Sequence, residues 1–89
     1  SHYTPDYTIV GGHKHMRFVF MEPAYTGTYE LNRVATEICG TELRCKVMFW
    51  DRRDLTPNAL PLSAEQSAAI SADYVRNKWT YTNRLRVFR

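Results

Sequence analysis

Long apolar runs are missing from this 89-residue chain. Nowhere do about 18 or more apolar residues follow one another, so no segment is suited to cross a bilayer as a helix. Histidine occurs only within the first fifteen residues, at His2, His13 and His15. A cysteine nucleophile needs an imidazole beside its thiolate, and that distribution argues against one. Only two cysteines are present, Cys39 and Cys45, at a spacing that fits neither a zinc knuckle nor a redox Cys-x-x-Cys pair. No Gly-rich phosphate loop, RNP-like aromatic pattern or cofactor-binding motif is found, so no cofactor is expected. The opening SHYTPDYTIV lacks the basic and apolar regions of a signal peptide, which was either never there or has been removed. Ser1-His2 reads as a remnant of an expression tag.

What the chain does contain is enough for one folded domain over residues 1–89. At this length one core is the limit, and an aromatic content of 13% points to a packed interior rather than disorder. The formal charge of +3 comes from twelve basic residues, mostly Arg, against nine acidic ones. That excess permits an anionic partner without requiring one.

Helical periodicity is clearest in YELNRVATEIC, residues 29–39. Leu31, Val34, Ala35 and Ile38 recur at helical spacing, Thr28 is placed to cap the start, and Gly40 suits the end. Two strands flank it. MRFVFM (16–21) is rich in aromatic and β-branched residues, and in RCKVMFW (44–50) Cys45, Val47 and Phe49 alternate with Arg44, Lys46 and Met48. Cys45, Val47 and Phe49 are expected to face the helix, and the other face is basic near its start. A helix between two strands allows a crossover if they run parallel. Tyr7–Val10 reads as a first strand stopped by Gly11-Gly12, pairing with 16–22 through an exposed His-Lys-His loop. After Trp50, residues 51–62 form a charged and then Pro-containing surface excursion, and Ser63-x-x-Gln66 has the capping-box pattern. Residues 70–77 suit either a continuing helix or a strand. The strand is preferred, turning at 77–80 into a last strand at 81–88 in which Arg84 and Arg86 alternate with Leu85 and Val87.

The two cysteines allow three readings: a disulfide, half of a metal site, or two buried thiols. If Cys39 ends the helix and Cys45 opens the strand folding back beside it, their Cα atoms fall within the roughly 4.4–6.8 Å a bridge requires. The disulfide is preferred, and with it an oxidising compartment, periplasmic or secreted; two cytoplasmic thiols are the alternative. Cys39-Gly40, Cys45 leading into Phe49-Trp50, the Pro-containing loop, Ser63-x-x-Gln66 and Tyr74-x-x-Asn77 together resemble small exported proteins of bacteria. The resemblance covers the last half of the chain and implies export with an oxidised cysteine pair.

The expected fold is α+β: a single small domain with a four- to five-stranded, mostly antiparallel sheet, helix 29–39 packed on one face and a short second helix after Ser63. The first functional reading is a small exported protein-interaction module without catalytic activity. It would act through the 51–62 loop with Asp51, Arg52 and Arg53, and through exposed Trp50, Trp79 and Tyr81. The alternative is a nucleic-acid binder using Arg84 and Arg86 on the terminal strand, with Arg76 and Arg89 nearby. A second copy of the chain is a further candidate partner. An enzyme ranks third: Asp51 and Asp54 each have an arginine neighbour that suits an ordinary charged turn. His13 and His15 as metal ligands lack further donors.

Overall fold

A computed structural model describes residues 5–88. Ser1-His2, where a tag remnant is expected, the start of the lead segment at Tyr3-Thr4, and Arg89 lie outside the described residues. The remainder forms one mixed five-stranded sheet with strands in sequence order: β1 (Thr8–His13), β2 (Met16–Phe20), β3 (Arg44–Trp50), β4 (Ile70–Asn77) and β5 (Thr82–Val87). Helix α1 (Thr28–Cys39) connects β2 to β3, and the short α2 (Ala64–Ala68) precedes β4. All neighbours are antiparallel except β2 and β3, which run parallel because a helix returns the chain to the starting end of the sheet. The expected α+β architecture is thus the observed one, and residues 70–77 are strand.

Why α1 lies where it does follows from its stripe. Leu31, Val34, Ala35 and Cys39 are buried against Val19 and Met21 of the β2 strand and its extension, Val47 and Phe49 of β3, and Ala72 and Tyr74 of β4. Full burial of a side chain such as Leu31 or Val34 contributes roughly 1.5–3 kcal/mol, so this layer is the main source of stability. Gly27, not Thr28, occupies the N-cap position, and no side chain caps the helix there; Thr28 is already its first residue. At the other end Gly40 has φ +54°, a conformation that disfavours side chains, and its N–H donates to the Thr36 carbonyl. The disulfide joins Cys39 to Cys45 with Cα atoms 5.8 Å apart, fastening the end of α1 to the start of β3.

Although one core is expected at this length, the opposite face of the sheet has a second, smaller core. Phe18, Met48, Trp50 and Ala69 are buried there, with Met16, Leu55, Leu62 and Ile70 packed around them. Its cover is the excursion from Asp51 to Ala69. The capping box of Ser63 and Gln66 is formed in both directions, at 3.0 and 2.9 Å, and the Gln66 carbonyl accepts the Trp50 indole N–H at 2.8 Å. Trp50 also meets Phe18 edge to face, ring centres 5.9 Å apart. Two expectations are corrected by this layer. Trp50 is fully buried rather than exposed, and the 51–62 segment, with Thr56 and Pro57 buried, is a structural cover more than a free loop. A third correction concerns β1, which runs on through Gly11-Gly12 to His13. Glycine is required at position 11 because a Cβ there would fall onto the backbone of Asn58, where the excursion crosses the strand.

Candidate binding surface

The excursion covers only the upper half of the second face. Below it, strand registers align His13, Met16, Lys46, Val75 and Arg84 in one row across all five strands. A shorter row beneath holds Arg44, Asn77 and Thr82. These residues are half-buried or exposed and have no helix over them. At the same end lie the β1–β2 turn, the connection from α1 to β3, and the β4–β5 turn.

Three segments build this end: 13–17, 40–47 and 75–84. They contain seven of the twelve Lys and Arg residues, at Lys14, Arg17, Arg44, Lys46, Arg76, Lys78 and Arg84, plus His13 and His15. Their one carboxylate is Glu42, which lies 3.6 Å from Arg17. The other described residues reverse the balance, with four Arg against eight Asp and Glu. A chain of modest overall charge is therefore strongly polarised: one end of the sheet is basic and the rest is net acidic. Cations gathered this way add their fields, and the surface attracts anions from well beyond contact distance at low ionic strength.

The basic end is braced rather than loose. The Lys78 N–H donates to the Leu43 carbonyl at 2.9 Å and the Lys46 N–H to the His15 carbonyl at 2.8 Å. Arg76 Nη2 donates to the Gly40 carbonyl at 2.8 Å, and Arg17 Nη1 to the carbonyls of Lys14 and Met16 at 2.7 and 2.9 Å. The Asn77 side-chain oxygen accepts from the Trp79 and Thr80 N–H groups, fixing the turn. That turn presents Trp79, 65% exposed, and Tyr81, 94% exposed.

The residues singled out from sequence fall into separate places. Trp79, Tyr81 and Arg84 belong to the basic end. Asp51, Arg52 and Arg53 sit at the far end of the sheet, where Arg52 pairs with Asp54 at 2.8 Å. Arg86 is held by Asp73 through two hydrogen bonds, Nε to Oδ1 at 3.0 Å and Nη2 to Oδ2 at 2.6 Å, with its guanidinium 5.4 Å from the Phe88 ring centre. The bonds to Asp73 raise the Arg86 pKa further and leave it engaged within the protein. Sequence reasoning left Lys14, Arg44, Lys46 and Lys78 out of the site. The alternation of Arg44 and Lys46 in β3 was the available signal; its meaning depended on which strands lie alongside.

Three open hollows of about 320, 430 and 380 Å³ adjoin at this end. A larger hollow, about 640 Å³, is elsewhere, between α1 and β5. Arg33 and Glu37 there carry opposite charges, so it lacks the single-sign character of the basic end. Nearby, Tyr7 Oη donates to Glu37 Oε2 at 2.6 Å, and that bond to a carboxylate pushes the phenol up to about 12. Among the described residues no three His, Cys, Asp or Glu side chains gather as a metal site, and no helix is long and apolar enough to cross a membrane.

The fold and surface together define a small disulfide-linked α+β protein with one basic, aromatic-bearing end. Compared with family models, curated proteins and solved structures, the chain finds no significant match.

Proposed function

We propose that this protein is a small exported binding module, without catalytic activity, that engages an acidic protein partner through its basic end. The observation carrying this reading is the segregation of seven Lys and Arg residues, with one paired Glu, into three adjoining segments. Exposed Trp79 and Tyr81 on the same end add the side chains that dominate interface energetics. The Cys39–Cys45 bond supports a periplasmic or secreted setting, since such bonds persist where thiols are not kept reduced. Acidic partners there meet a preformed surface, and complementary charge sets encounter rate and orientation.

The exposed aromatics beside cations also favour a second reading, single-stranded nucleic acid stacked on Trp79 and Tyr81. Fluorescence anisotropy with an acidic peptide, a basic peptide and an oligothymidylate, each across a salt series, separates the two. The protein-partner reading expects binding of the acidic peptide, weakening steeply as salt rises. Oligonucleotide binding without acidic-peptide binding would replace it with the nucleic-acid reading, and no binding of either anion at low salt would remove both.

A further inference from the structure

We infer that the hollow at the base of the open sheet face seats one apolar side chain of an extended acidic segment. This deepens the proposed function and rests on it. The hollow, about 320 Å³ and mostly apolar in its wall, has Met16 and Val75 in its lining, with Lys14, Arg44, Lys46 and Arg76 around them. Its volume lies near the low end of the roughly 300–1,000 Å³ occupied by small ligands, so it receives a side chain and not a helix. Met16 and Val75 share one row of the sheet on either side of Lys46. Lysine and arginine stems lie along apolar surface while their charged heads stay in water. A partner residue with an apolar body and acidic neighbours therefore satisfies both parts: its hydrocarbon covers Met16 and Val75, and its neighbours' carboxylates meet the cations.

Trp79 and Tyr81, the large aromatics suited to stacking a base, line the two hollows beside this one and not the hollow itself, whose ring side chains are the imidazoles of His13 and His15. Its aliphatic residues, Met16 and Val75, favour an apolar side chain.

The test uses two peptides of equal length and charge, one of Glu and Gly only and the other with a single central Leu, titrated against the intact disulfide-bonded protein. The Leu peptide is expected to bind roughly tenfold more tightly. Val75→Ser, and separately Met16→Ser, are expected to abolish that preference, so that each variant binds the two peptides equally, with folding of both variants verified by circular dichroism. Equal affinity of the two peptides for the native protein, or a preference that survives both substitutions, overturns the seat while leaving anionic binding intact. Failure of both peptides at low salt overturns the underlying reading as well, and oligothymidylate binding in the same experiment then points to nucleic acid.

Discussion

Arg86 on β5 grips Asp73 on β4 with two donors, and Asp73 is only 4% exposed. A carboxylate this far out of water depends on its partner, because removing one member of such a pair leaves an uncompensated charge inside the protein. Arg86 therefore serves the fold, and the surface cations available to a partner are those at the other end of the strand.

Arg86→Ala is expected to lower the melting temperature, and Arg86→Lys to lower it less, since Lys cannot reproduce the two-donor grip. Neither change is expected to alter affinity for an acidic peptide at temperatures where the protein stays folded. Thermal melts monitored by circular dichroism, paired with anisotropy, check both parts. Unchanged melting of Arg86→Ala would contradict the structural role.

The two tryptophans separate core from surface. Trp50→Ala removes a fully buried ring together with its bond to Gln66 and its contact with Phe18. It is expected to cost about 3–5 kcal/mol, a large share of the stability of a domain of this size. Trp79→Ala is expected to change stability by no more than about 0.5 kcal/mol, because its side chain stands mostly in water. Urea unfolding followed by circular dichroism gives both values.

Opening the disulfide is expected to weaken the fold modestly. The loop from Cys39 to Cys45 is short, and the chain-entropy account assigns such a loop about 2 kcal/mol. Cys39→Ala/Cys45→Ala should lower the unfolding free energy measured in urea by that amount while α1 remains helical. A thiol assay on denatured, unreduced protein should detect no free cysteine.

Tyr7 predicts a stability change at high pH. Its phenol titrates near 10 in an unfolded chain and is pushed up to about 12 here by its bond to Glu37. A raised pKa means the folded state holds the proton more firmly, so the contribution is complete below pH 10 and is lost as pH rises from about 10 to about 12. Phenolate absorbance should show a late-titrating component that is absent in Tyr7→Phe. The same substitution should remove the part of the alkaline stability loss that comes from this group.

Much of the architecture was legible in the order of residues because it rests on local patterns. Leu31, Val34, Ala35 and Ile38 declare a helix by period, Ser63 and Gln66 declare the start of another by spacing, and Cys39 and Cys45 are near enough in sequence for one turn to bring them together. Trp50 was misjudged because what buries it is neither local nor visibly apolar. It is covered by a stretch rich in Asp, Arg, Pro and Ser whose apolar contacts come from scattered residues such as Leu55, Leu62 and Ala69. Gly11 read as a strand stop because the reason for a glycine, the crossing of Asn58, lies 47 positions away in sequence.

The basic end was the least legible part. Lys14, Lys46, Arg76 and Arg84 come from four separate strands or turns, and none stands out beside its sequence neighbours. They meet because β2 runs parallel to β3 and β4 returns beside it, which places His13, Lys46 and Arg84 in one row. Global counting gives +3 and hides the arrangement.

The polarised surface can be tested most directly with two charge reversals of equal size at opposite ends. Lys46→Glu/Arg84→Glu and Arg52→Glu/Arg53→Glu change the net charge identically, and all four positions lie outside the two cores. Affinity for the acidic peptide at low salt is expected to be lost in the first variant and nearly unchanged in the second. Equal weakening in both would show that only overall charge matters, and would contradict the assignment of binding to the basic end.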